Sequence, residues 1–172
     1  MRSIFNLSGL VLISSLSAYA VAAPLSIGDS VTATVPAITK ATVGHPNAIV
    51  ITIKTVPPVH IQGNPTLAYN IATTVKMQAV KGLKIGKIVY PKPKVEEVFG
   101  TKTPIYEGTI KITAYETAFK PGKYTVPIQV TYQACNAQNC MPPETVDLKA
   151  KLEVSKAKLN RVKTSKVKKH AA

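Results

Sequence analysis

The run from Val146 to Val154 alternates without interruption. Val146, Leu148, Ala150, Leu152 and Val154 are apolar, and Asp147, Lys149, Lys151 and Glu153 between them are charged. A period of two places each set on one face of an extended chain, so this run predicts a half-buried strand with a wet outer face. Upstream, Val126, Ile128, Val130 and Tyr132 form one set, while Thr125, Gln129, Thr131 and Gln133 form the other. Pro127 falls in that second set and predicts an edge position or a bulge, because it cannot donate to a ladder. Thr109 to Tyr115 puts Ile110 and Ile112 on one face, Ala48 to Ile53 is a short apolar run, and Ala68 to Gln78 alternates in part.

Turn chemistry separates these segments. Gly44-His45-Pro46-Asn47 precedes the apolar run, and Phe119-Lys120-Pro121-Gly122-Lys123 has a Pro-Gly core. The 13 prolines interrupt any long helix. Six or more short strands with turns between them predict an all-β, antiparallel sandwich. The exception is Val89 to Pro104, with three prolines and mixed charge, which reads as a loop or ragged hairpin across one end of the sheet. Long ordered loops on such scaffolds often carry function.

The two termini read differently from this centre. Arg2, the apolar stretch Leu7 to Ala20, and the small-x-small signals Ala18-Tyr19-Ala20 and Ala20-Val21-Ala22 predict a cleaved secretory signal over residues 1–23. The folded domain is expected over 24–154, in the periplasm or otherwise secreted. Residues 155–172 carry seven basic side chains and no acidic one. With Arg2 set aside as well, fourteen basic residues face all eight acidic ones in the domain, so much of the net +14 belongs to the tail. The tail is expected to be disordered. It offers weak contact with anionic membrane surfaces, at about 1 kcal/mol per basic residue near the surface. No nucleic-acid partner is expected of an exported chain.

The stretch YQACNAQNCMPP holds both cysteines, Cys135 and Cys140. The strand before it and the strand after Pro143 make Asn136 to Asn139 the tip of a hairpin, with the thiols across its base. A metal is not expected: two thiols are too few ligands for a structural zinc, and His45, His60 and His170 show no ligand spacing. No other cofactor is implied. A lone-nucleophile hydrolase is disfavoured, since the second thiol would trap the first. Two readings stay open. A disulfide here closes a loop of about six residues, which the chain-entropy account values at ~2 kcal/mol. That is a modest staple, and equally a bond that opens at little cost.

The residues VTYQACNAQNCMPPETVDL closely resemble the active-site hairpin of the N-terminal periplasmic domain of thiol:disulfide interchange proteins of the DsbD type, the disulfide-bond-corrector family. Tyr132, Gln133, Cys135, Cys140, Pro142, Pro143, Glu144 and Thr145 meet that pattern. EEVFG (Glu96 to Gly100), followed by Ile105-Tyr106, resembles the family's cap loop, and PPVHIQGN (Pro57 to Asn64) lies where family members carry a His-Ile-Asn-like segment. The similarity spans about Ile49 to Val154. The loop between the cysteines has four residues, one fewer than in the best-known members.

This resemblance implies an immunoglobulin-like sandwich in which Cys135 and Cys140 cycle between dithiol and disulfide. It implies a thiol-disulfide oxidoreductase of the protein-disulfide reductase type, relaying electrons between thioredoxin-fold proteins, including clients in cytochrome c maturation. By family position Cys140 forms the mixed disulfide and Cys135 resolves it. A membrane domain and a Cys-x-x-Cys thioredoxin domain are absent from the chain as read, so the expected donor is a separate membrane reductase or thioredoxin-like protein. Val98 and Phe99 compete for the cap aromatic's position, with Glu96 and Glu97 beside them. Tyr132 reads as core or pocket wall, His60 as structural or surface, and Pro142 and Pro143 as a docking rim. The alternative is a non-enzymatic binding or assembly module with a structural hairpin disulfide.

Overall fold

The computed structural model describes residues 28–157. The leader expected over residues 1–23 and nearly all of the tail expected to be disordered lie outside the described residues. Within them the chain is all-β, an immunoglobulin-like sandwich with a short 3-10 turn at Gly28–Ser30 and no α-helix. One sheet holds β1 (Val31–Thr34), β3 (Pro46–Thr55), β9 (Thr109–Ala118) and β6 (Leu83–Val89), in the order β1-β3-β9-β6. The facing sheet holds β2 (Thr39–Thr42), β12 (Glu144–Ser155), β10 (Gly122–Tyr132) and β5 (Thr74–Met77), in the order β2-β12-β10-β5.

The alternating residues form the core between the sheets. Ile49, Ile51, Ile53, Ile110 and Ile112 face Val126, Ile128, Val130, Ala150 and Leu152, and all are buried. Burying an aliphatic side chain of this size stabilises by roughly 1.5–3 kcal/mol, which makes this layer the main source of stability. β10 and β12 pair in continuous register from Gly122↔Val154 to Tyr132↔Glu144, the longest ladder among the described residues.

One expectation is corrected. Pro127 lies in the central strand β10, at neither an edge nor a bulge. Its carbonyl accepts from Gln78 N–H at 3.0 Å, just beyond the end of β5. A residue's N–H points to the same side as its carbonyl, so the missing donor falls where the neighbouring strand has stopped. The strand pairing is antiparallel as expected, with one parallel exception, β2 against β12. The partial alternation of Ala68 to Gln78 yields a strand only at Thr74–Met77.

A third sheet caps one end. It contains β11 (Ala134–Cys135), β4 (His60–Gln62), β8 (Thr101–Tyr106) and β7 (Lys94–Val98), in the order β11-β4-β8-β7. Each strand prolongs or precedes a strand of the main sandwich after a short break: β10 into β11 across Gln133, β3 into β4, β8 into β9 across Glu107-Gly108, and β6 into β7 across Tyr90 to Pro93. Val89 to Pro104 is therefore an ordered hairpin arm, β7 and β8, rather than loop.

Candidate functional site

Cys135 and Cys140 form a disulfide at the edge of this third sheet, with Cα atoms 4.0 Å apart. The tip between them is a side-chain-capped turn. Asn136 Oδ1 accepts from the backbone N–H groups of Gln138 and Asn139, both at 2.8 Å, and Asn136 N–H donates to Asn139 O at 2.9 Å. Asparagine suits that role because its short amide mimics a backbone acceptor. Met141 N–H donates to Ala134 O at 2.8 Å, and the Gln133 amide donates to Met141 O at 3.2 Å. The hairpin base is thus held by hydrogen bonds as well as by sulfur.

The two sulfurs differ in environment. Cys135 is 0% exposed, whereas Cys140 is exposed. Cys140 lines a cleft of about 210 Å³ together with Gln62, Tyr69, Asn70, Val98 and Phe99. The β7–β8 arm carries Val98 and Phe99 to this place. Its turn is Phe99-Gly100, between the register partners Val98 and Thr101. Both turn residues have positive φ, 50° and 72°. Two-residue hairpins favour such turns, but asparagine, aspartate or glycine normally fills the first position. A left-handed conformation costs Phe99 roughly 1–2 kcal/mol, and the residue is 59% exposed. Such strain marks a position held for a reason other than stability.

Glu96 and Glu97 stand exposed on β7 and do not line the cleft. Pro142 and Pro143 are exposed on the stretch leaving Cys140. Tyr132 is buried in the sandwich core opposite Glu144. Burial, with Glu144 adding, pushes its phenol up to about 12, so it stays protonated. His60 is the register partner of Cys135 and is buried, with Nε2 lacking a hydrogen-bond partner. Burial lowers its pKa against a smaller opposing pull from Glu107, which keeps the ring neutral. Among the described residues no cluster of three or more His, Cys, Asp or Glu is placed to hold a metal ion.

Gln62 is the site residue that sequence reading passed over. It is 1% exposed, and its Nε2 donates to Cys135 Sγ at 3.4 Å. It sits inside the HIQGN segment, where the only signal was a polar residue alternating with His60 on one strand.

The sequence profile described as "Thiol:disulfide interchange protein DsbD, N-terminal" matches residues 32–152. Among solved structures, the DsbD N-terminal domain of Neisseria meningitidis in the reduced form is similar at 13% identity, over 73% of this chain and 87% of that one, with a TM-score of 0.48. The N-terminal periplasmic domain of ScsB from Proteus mirabilis is similar at 14% identity, over 72% of this chain and 45% of that one, with a TM-score of 0.49. A cohesin module from Clostridium perfringens is similar at 11% identity, over 73% and 98%, with a TM-score of 0.41. No curated protein sequence matches significantly.

Proposed function

The chain belongs to the family of the DsbD N-terminal domain, and from that premise we propose that it is an extracytoplasmic thiol–disulfide exchange module relaying electrons between thioredoxin-fold proteins through Cys135 and Cys140. The observation that carries this reading is the asymmetry of the sulfurs: Cys140 opens into a cleft, and Cys135 is sealed beneath it.

Exchange requires a thiolate to approach a disulfide sulfur in line with the bond to be broken. A partner thiolate attacks Cys140 Sγ. The Cys135–Cys140 bond breaks, and its electron pair leaves on Cys135 Sγ as a thiolate. The partner's second thiolate then attacks the partner sulfur of the mixed disulfide and releases Cys140. The partner ends as a disulfide and the hairpin as a dithiol, after two protons from water. The reverse sequence delivers the two electrons to a client disulfide, with Cys135 as resolving nucleophile. No helix N-terminus lies here to acidify a thiol, so access governs the rate of the first attack.

Phe99 supplies that control as a lid over the cleft, with Val98 beside it, carried on a two-stranded arm that can swing. Tyr69, Phe99 and Met141 expose apolar surface around Cys140 and, with Pro142 and Pro143, give a partner an apolar docking rim. The donor is a separate membrane reductase or thioredoxin-like protein, and clients of cytochrome c maturation are candidate acceptors. The leader pattern supports the extracytoplasmic location, and the basic tail adds weak membrane-surface contact.

Redox titration tests the reading. In dithiothreitol buffers the purified protein is expected to open its disulfide at a potential above about −300 mV and to remain folded by circular dichroism. A bond that resists reduction, or a fold lost with it, would mark a structural staple instead.

A further inference from the structure

The side chain of Gln62 is fixed from both ends of its amide. Thr66 Oγ1 donates to Gln62 Oε1 at 3.1 Å, and Asn70 Nδ2 donates to the same oxygen at 2.9 Å. Two donors on that oxygen leave only one orientation, with the NH2 group turned away from them and toward Cys135 Sγ, 3.4 Å distant. The backbone is held as well. Gln62 N–H donates to Gln133 O at 3.1 Å, and Thr73 Oγ1 donates to Gln62 O at 2.5 Å. A buried glutamine with every group directed is an expensive feature if it serves only packing, because an apolar side chain of the same shape would carry no desolvation cost.

A neutral disulfide sulfur is a weak acceptor and gains little from an amide N–H. A thiolate at the same place gains much more, since hydrogen bonds to charged groups are about twice as strong as neutral ones. The sealed position of Cys135 deprives its thiolate of water. The titratable neighbour on β4 is His60, which burial keeps neutral, with Glu107 acting on that ring from beyond. No cation stands among these groups, so the amide is the donor in place for the charge.

We propose that Gln62 is a catalytic residue of the exchange reaction, whose amide N–H holds the negative charge that collects on Cys135 Sγ when the disulfide is opened at Cys140. Thr66 and Asn70 act through it as positioning residues. The assignment rests on the exchange reading above and assigns its leaving group. When an incoming thiolate bonds to Cys140 Sγ, the electron pair of the broken S–S bond goes to Cys135 Sγ, and a better-stabilised thiolate leaves faster. In the reverse direction the same contact keeps Cys135 ionised for its attack on the mixed disulfide. The donor is already aimed before the charge appears, so no reorganisation is needed at the moment of reaction.

The test uses Gln62→Leu and Gln62→Glu, two shapes close to glutamine without its N–H, with Thr66→Val/Asn70→Leu as a third variant that leaves Gln62 present but unheld. Cys135 is titrated by thiolate absorbance in a Cys140→Ala background, and opening of the intact disulfide by dithiothreitol is timed in the two-cysteine proteins. The thiolate fraction of Cys135 at neutral pH is expected to fall about tenfold in the Leu variant and further in the Glu variant. Opening is expected to slow by roughly three- to tenfold, with thermal midpoints that do not track the rates. The positioning variant falls between these and the parent. Should Cys135 titrate alike in parent, Leu and Glu variants, the proposal is wrong while the exchange reading stands. Should the parent itself resist dithiothreitol, the exchange reading fails and takes the proposal with it.

Discussion

The main sandwich and the small end sheet are built from strands that follow one another along the chain, and they obey different rules. In the sandwich, β10 and β12 keep register over their whole shared length, and isoleucine, valine and leucine fill the space between the layers. In the end sheet the strands are two to six residues long, and the buried side chains include His60, Gln62 and Thr103. Short ladders with polar interiors contribute little net stability, since each polar group must first give up water. Such regions open locally at lower free energy than the core. That suits a place where a covalent bond must break and re-form while the body stays folded. One polar blemish crosses the division: Glu116 of β9 is fully buried, with neither carboxylate oxygen hydrogen-bonded. Its register partner Asn47 has both amide hydrogens committed, to Thr42 O and His45 O.

Substitutions can break this division. The largest effect is expected from Ile112→Ala in the sandwich, which should cost about 2–5 kcal/mol in urea unfolding. The folded fraction should still be reduced by dithiothreitol at the parental rate; a matching change in rate would mean that body and site are not separable. Next comes Gly63→Ala in the end sheet. A Cβ there would stand 2.8 Å from Pro93 Cβ and 2.9 Å from Pro104 O, so β8 must shift, at about 1–3 kcal/mol. Because β8 carries the cap arm, this change should also speed reduction, which kinetics with a small dithiol would detect.

Glu116 sharpens the contrast through pH. Burial raises its pKa, because the carboxylate would lose its water without gaining a hydrogen bond. A carboxyl whose folded pKa lies above its unfolded value stabilises the fold below the unfolded value, near 4.5, and that stability is lost as pH rises through the folded value. Glu116→Gln should therefore stabilise at pH 7 by about 1–3 kcal/mol, with the gain shrinking toward pH 4 in denaturant titrations. His60 has the opposite sign. Its lowered pKa favours the neutral ring, so its contribution is present above about 6.5 and declines as pH falls through the folded value. The smallest effect on stability belongs to Phe99→Asn, expected to gain about 0.5–1 kcal/mol by relieving the positive φ. It should speed opening of the disulfide severalfold; an unchanged rate would remove the lid.

Periodicity made the sandwich legible because one face of each long strand must be apolar. Val146 to Val154 and Val126 to Tyr132 displayed their core faces directly. The end sheet did not announce itself in that way. Three-residue β4 is buried on every position, and a strand that short has no readable period. Pro127 misled because proline excludes a donor and says nothing about where the neighbouring strand stops. The cysteine pair was visible as chemistry, and its motif identified the family. The unequal burial of the two sulfurs was not, since it depends on β4 and β11 pairing across 73 residues of chain. Gln62 was hidden for the same reason: its meaning comes from Thr66, Asn70 and Cys135 meeting around one amide.

The most direct measurement is to trap the mixed disulfide. A thioredoxin-fold protein stripped of its resolving cysteine and activated at the remaining one is mixed with Cys135→Ala and, separately, with Cys140→Ala. Peptide mapping by mass spectrometry then reads the joined sulfurs. A rapid, near-complete adduct through Cys140, with Cys135 at least ten times slower, is the result that unequal access predicts. Equal adducts through both cysteines, or none through Cys140, would contradict it.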